Sequence, residues 1–154
     1  MDDIRNLVRS AINESLYERP FGIAYTAAVV EGWSDRQKLY EAFEAEISKA
    51  ELELQGWHHP DDYHMTICFG ELPLSMKVRG DLNSEVHLRA THLGISDEAI
   101  AFRVEGFMSK NDMQHITMLF KHRPADSNSI RNWKELDRPF TVSSVIREVP
   151  AKRP

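Results

Sequence analysis

The chain has 154 residues, 42% of them hydrophobic and 28% charged, a single cysteine and a formal net charge of −5. That length supports one domain with a full core, and that composition excludes a disordered chain. The lone Cys68 excludes an intramolecular disulfide and a Cys-rich zinc site, and net acidity argues against a protein that grips long duplex nucleic acid by its backbone.

The chain begins Met1-Asp2-Asp3 and lacks the basic-then-apolar start of a secretory signal. No apolar run approaches membrane-spanning length. The expectation is a cytoplasmic protein with no membrane partner.

Ile4, Leu7, Val8, Ala11, Ile12 and Leu16 recur at spacings of three and four, which predicts a first helix ending before Pro20. Phe21 to Val30 is rich in aromatic and β-branched residues and predicts a buried strand. Gly32 to Asp35 reads as a turn, with Ser34 or Asp35 as the cap of a helix that runs from Arg36 to about Leu54. Leu39, Phe43, Ile47, Ala50 and Leu54 form its apolar side. Trp57 to Asp62 reads as a polar loop broken by Pro60. Tyr63 to Phe69 predicts a strand, and Pro73 to Asn83 a loop. Further strands are expected at Val86 to Ile95, Ala99 to Val104, His115 to Phe120 and Phe140 to Val149. A short helix is expected between Ser127 and Trp133, capped by Asp126 or Ser127. The tail from Pro150 to Pro154 has nothing to pack. Helices mixed with hairpin-like strands make the expected class α+β, in one domain.

Two strands begin with the same pattern. His64 and Thr66 lie two residues apart, so on a strand they share one face while Met65, Ile67 and Phe69 share the other. His115 and Thr117 repeat this against Ile116, Met118 and Phe120. Chance predicts only about 0.2 His-x-Thr tripeptides in a chain with this many His and Thr, so two copies heading two apolar strands carry weight. Two imidazoles and two hydroxyls around one small space are sufficient to cleave a phosphodiester without metal or cofactor. One neutral ring takes a proton from water or a ribose hydroxyl, and the other, protonated, delivers one to the leaving oxygen. The threonines donate to the non-bridging oxygens.

His64-Met65-Thr66-Ile67 and His115-Ile116-Thr117-Met118 resemble the paired His-x-Thr-hydrophobic motifs of the 2H phosphoesterase superfamily, also called LigT-like. The resemblance implies two pseudo-symmetric α+β lobes of antiparallel strands with flanking helices around a central cleft, here about residues 1–75 and 76–150. It makes His64 and His115 the proton-transfer pair and Thr66 and Thr117 the phosphate donors. It implies a hydrolase acting on a nucleotide or on an RNA terminus, by default a 2′,3′-cyclic phosphate, as in RNA processing. Phage enzymes that degrade cyclic oligonucleotide immune signals, the anti-CBASS type, are the alternative within that chemistry. A non-catalytic nucleotide-binding module is the alternative outside it.

Other residues are weaker candidates. Lys121 continues the parity of His115 and Thr117 and is placed to meet phosphate at a cleft rim. Trp33 and Tyr25 are candidates to stack a base, with packing the favoured role for Tyr25. Asp62 shares the parity of His64 and is placed to orient its ring. His58, His59, Asp61, Asp62 and His64 have the composition of a metal cluster, but adjacent histidines followed by Pro60 cannot easily aim at one ion, so no metal ligand is assigned. Cys68 reads as a small buried residue.

Overall fold

The computed structural model describes residues 22–50, 53, 55–109 and 113–151. The first predicted helix, Leu54 and residues 152–154 lie outside them.

Six strands alternate with few helices: β1 (Ile23–Val29), α1 (Trp33–Ala50), β2 (His64–Phe69), α2 (Leu74–Arg79), β3 (Glu85–Ile95), β4 (Ala99–Glu105), β5 (His115–Phe120), a 3₁₀ turn (Pro124–Ser129) and β6 (Trp133–Pro150). All the strand pairs are antiparallel and close on themselves in the order β1-β2-β5-β4-β3-β6. The α+β expectation therefore takes the form of one closed barrel. Closure comes from β6, whose first part pairs with β3 and whose end pairs with β1. Each strand therefore has a paired neighbour on both sides.

Period-two alternation sends Met65, Ile67, Leu88, Ala90, Ile100, Phe102, Ile116, Met118, Val142 and Ile146 into one core, all of them buried. Leu39, Phe43 and Ile47 bring the apolar edge of α1 into the same cluster. Residues on both sides of position 75 thus share one core, and β1 and β2 are each paired with strands of the second half.

Several local expectations are corrected. Residues predicted as loop between Pro73 and Asn83 contain α2, where Met76 is the buried anchor and Gly80, at φ 90°, ends the helix in a conformation that favours glycine. The short helix expected from Ser127 to Trp133 is instead the 3₁₀ turn at Pro124–Ser129, and Trp133 opens β6. Pro124 sets the start of that turn, and the Asp126 carboxylate accepts from the Arg123 amide at 3.1 Å. Asp35 is inside α1, and its carboxylate accepts from the Ser143 amide of β6 at 3.0 Å, tying helix to barrel. Pro150 pairs with Ile23, and the Ala151 amide donates to the Gly22 carbonyl, so the start of the predicted tail is held.

Thr91 is an extra residue of β3 in its ladder with β4, where Ala90 faces Val104 and His92 faces Arg103. Against β6 the same point absorbs four residues, because Ala90 faces Phe140 and His92 faces Glu135. Pro139, which cannot donate to a ladder, falls within this bulge. Among the described residues, no helix is long and apolar enough to cross a membrane.

Candidate active site

The two His-x-Thr strands are neighbours in the barrel. Met65 of β2 lies opposite Ile116 of β5, and both point into the core with no exposure. An antiparallel pair in that register sets His64 across from Thr117 and Thr66 across from His115. The four polar side chains therefore share the outer face as a quadrilateral, with each histidine beside a threonine and the two histidines on a diagonal. Directly opposed Cβ atoms in such a pair are about 4.5–5.5 Å apart and diagonal residues about 7–8 Å.

Each ring is fixed through its Nδ1. His64 Nδ1 donates to Asp62 Oδ1 at 2.5 Å, and Tyr25 stacks on the ring with centroids 5.0 Å apart and planes 26° apart. His115 Nδ1 donates to the Met113 carbonyl at 2.8 Å. Both hydrogen bonds define the tautomer and leave Nε2 for chemistry. His64 keeps 19% of its side chain exposed.

The two rings sit in different surroundings. Burial pushes the His115 pKa below the ordinary histidine value, against the Met113 carbonyl, which raises it, and a charge on His64 lowers it further. His115 is thus biased to the neutral form. Asp62 stands behind His64, where a carboxylate meets positive charge forming on the ring. Tyr25 is raised to about 12 by burial and by the carboxylates of Asp62 and Asp61, so it remains a neutral phenol.

The two threonines differ. Thr66 makes no side-chain hydrogen bond to another described residue, while its carbonyl accepts from Ser109 Oγ at 2.7 Å. Thr117 is buried, and its hydroxyl lies 2.8 Å from that of Ser127 and 3.4 Å from the Pro124 carbonyl. One face of the Thr117 hydroxyl is therefore committed to the 3₁₀ turn, which the strand pattern alone did not show.

No known family model matches the chain, and no curated protein does. What the site can do therefore follows from its own geometry.

The remaining sequence candidates divide. Tyr25 belongs to the site, as a ring stacked on His64. Trp33 stands 76% exposed at the first position of α1, and no ring among the described residues stacks on it. Lys121 sits just beyond β5 with its ammonium 5.0 Å from the centre of the Trp57 ring, a cation–π contact and not one with either histidine. His58 and His59 have different ring neighbours. The ring of His58 lies 5.9 Å from that of Phe120, and His59 is 6.5 Å from Tyr40. Among the described residues no group of three or more His, Cys, Asp or Glu is placed to hold a metal. Cys68 is buried, with its thiol 3.6 Å from the Glu71 carbonyl.

Sequence reasoning missed Arg103, Met113 and Ser127. Arg103 of β4 faces His115 in the ladder, which extends the outer row to Thr66, His115, Arg103 and His92 across four strands. Only strand order brings these residues together, and no spacing in the sequence encodes it.

Proposed function

We propose that the protein is a phosphodiesterase that hydrolyses a nucleotide or RNA-terminal phosphodiester, by default a 2′,3′-cyclic phosphate, through two-histidine acid–base catalysis. The observation that carries this reading is the β2–β5 register, which gathers His64, Thr66, His115 and Thr117 on one face.

His115, biased neutral and with Nε2 free, is the general base. It takes a proton from water as the water oxygen attacks phosphorus. The bond from phosphorus to one ribose oxygen breaks. His64, acting in its protonated form and backed by Asp62, gives its Nε2 proton to that oxygen, and the product is a phosphomonoester. Thr66 stabilises the non-bridging oxygens as charge builds, and Thr117 joins it when Ser127 donates to its hydroxyl and its own proton turns from the Pro124 carbonyl to the phosphate. A buried ring biased to the neutral form, beside a second ring backed by a carboxylate, is the arrangement that this acid–base chemistry needs. In this reading the lobes correspond to β1–β2 and to β3–β6, and the scissile phosphate lies over the β2–β5 seam.

The test incubates the purified protein with 2′,3′-cAMP and with an RNA ending in a 2′,3′-cyclic phosphate, in chelator, and resolves the products. Ring opening is expected from wild type, with a loss of about 10²–10⁴-fold in His115→Ala. Nucleotide binding without product, unaltered in kind by His115→Ala, would instead identify a binding module. Activity abolished by chelator would identify a metal hydrolase.

A further inference from the structure

A cavity of about 410 Å³ adjoins the histidine quadrilateral, and its lining includes Arg89, His92, Arg103, Met113 and Glu135. Two of these residues also build the candidate site. Met113 supplies the carbonyl that holds His115, and Arg103 is the direct ladder partner of His115. The cavity therefore lies beside His115 along the outer row, and two of its lining residues touch or pair with that histidine. The bulge at Thr91 lies in its wall: Thr91 and Pro139 both line it, and His92 and Glu135 face each other across the β3–β6 ladder.

The charges within it are unequal in their commitments. Arg89 is paired with Glu105 at 3.3 Å. Arg103 is exposed and forms no ion pair with another described residue. His92 has its Nδ1 held 2.8 Å from Thr91 Oγ1, which fixes the ring at the cavity wall. An arginine with an uncommitted planar fork beside a catalytic histidine matches a phosphate group. Neighbouring strands are about 4.8 Å apart, so Arg103 is one strand removed from His115 and two from Thr66. That offset separates its anion from the phosphate under attack.

We infer that Arg103 and the cavity beside it hold a second phosphate of the substrate, so that the preferred substrate is an oligonucleotide and not a mononucleotide. The inference rests on the phosphodiesterase reading for the position of the scissile phosphate. Glu135, at the β6 wall, is an acceptor for the amino or hydroxyl donors of the nucleoside that carries this second phosphate. An RNA end and a cyclic oligonucleotide both supply such a unit, and they differ in which one fits.

The test measures equilibrium binding of the dinucleotide pApA and of AMP to wild type, Arg103→Ala and Arg103→Lys, beside turnover of 2′,3′-cAMP, a short RNA with a 2′,3′-cyclic end and 3′,3′-cyclic di-AMP. Wild type is expected to bind pApA at least about tenfold more tightly than AMP, and Arg103→Ala to erase that preference. Arg103→Ala is expected to lower kcat/KM about 10- to 100-fold on the oligonucleotides and less than about threefold on 2′,3′-cAMP, with Arg103→Lys intermediate. Equal wild-type affinity for pApA and AMP, or a preference that survives in Arg103→Ala, overturns the inference. Equal loss on all substrates overturns it as well, by assigning Arg103 to the scissile phosphate. Absence of turnover on every substrate counts against the phosphodiesterase reading alone, and the binding comparison still decides the role of Arg103. The cyclic and linear arms show which source of the second phosphate is used.

Discussion

Replacing Asp62 by Asn isolates the second half of the acid–base pair. Asn keeps an oxygen that can accept from His64 Nδ1 and keeps the side-chain volume, but removes the charge. A hydrogen bond to a charged group contributes about 1.5–3 kcal/mol net. Asp62 is 37% exposed and His64 19% exposed, so water screens the pair and the lower half of that range applies. At 1.36 kcal/mol per decade, the expected fall in kcat is about 13- to 45-fold. KM should hold, because the carboxylate stands behind the ring and away from the free Nε2. The assay is steady-state hydrolysis of 2′,3′-cAMP with a thermal melt of each variant. A partly exposed pair should change Tm by no more than about 4 °C. If Asp62→Asn stays within threefold of wild type while His64→Ala loses more than a hundredfold, the carboxylate plays no part in proton transfer and the assigned roles are wrong.

Four further outcomes are expected. His115 has a folded-state pKa below its unfolded value, so its neutral form persists at neutrality, and the acid limb of kcat/KM should have its midpoint below about 6.5; a midpoint above that value contradicts its role as the base. By linkage, the same depression favours folding fully above about pH 6.5 and is lost as pH falls through the folded-state pKa, so wild type should lose more Tm on acidification than His115→Gln does. Thr66→Val should cost about tenfold in kcat with an unchanged melt, whereas Thr117→Val should also cost about 1–3 kcal/mol of stability because Ser127 is left buried without its partner; equal melts for the two would show that the Ser127 contact does not matter. Gly94→Ala should cost about 1–3 kcal/mol and lower Tm by about 2–12 °C, since a Cβ there would stand 2.6 Å from Ile130 and 2.7 Å from Trp133, and an unchanged melt would refute that packing.

What the sequence made legible was set by periodicity. The strand of His115–Phe120 matched its prediction because Ile116, Met118 and the polar His115 and Thr117 alternate cleanly, and α1 followed from Leu39, Phe43 and Ile47. α2 was hidden because six residues, Leu74–Arg79, hold one buried anchor and expose Leu74 and Val78, so no apolar stripe appears. The length of β6 was hidden by Pro139, which reads as a strand breaker but sits in a bulge. In the site, the shared faces of His64 with Thr66 and of His115 with Thr117 followed from parity. The pairing of β2 with β5, the Met113 carbonyl, Ser127 and Arg103 did not, because each depends on strand order.

The register of β2 on β5 matters more than their adjacency. A slip of one residue would turn one motif into the core and leave Met65 or Ile116 outside, a cost that burial of both forbids. A slip of two would preserve the faces but set His64 directly against His115, with the threonines at a distance. In the register observed, the histidines lie on a diagonal and the threonines occupy the other corners. In-line displacement at phosphorus puts the entering and leaving oxygens on opposite sides, and the non-bridging oxygens between them. A base and an acid at opposite corners, with hydroxyls at the remaining two, meet that requirement without any movement of the barrel.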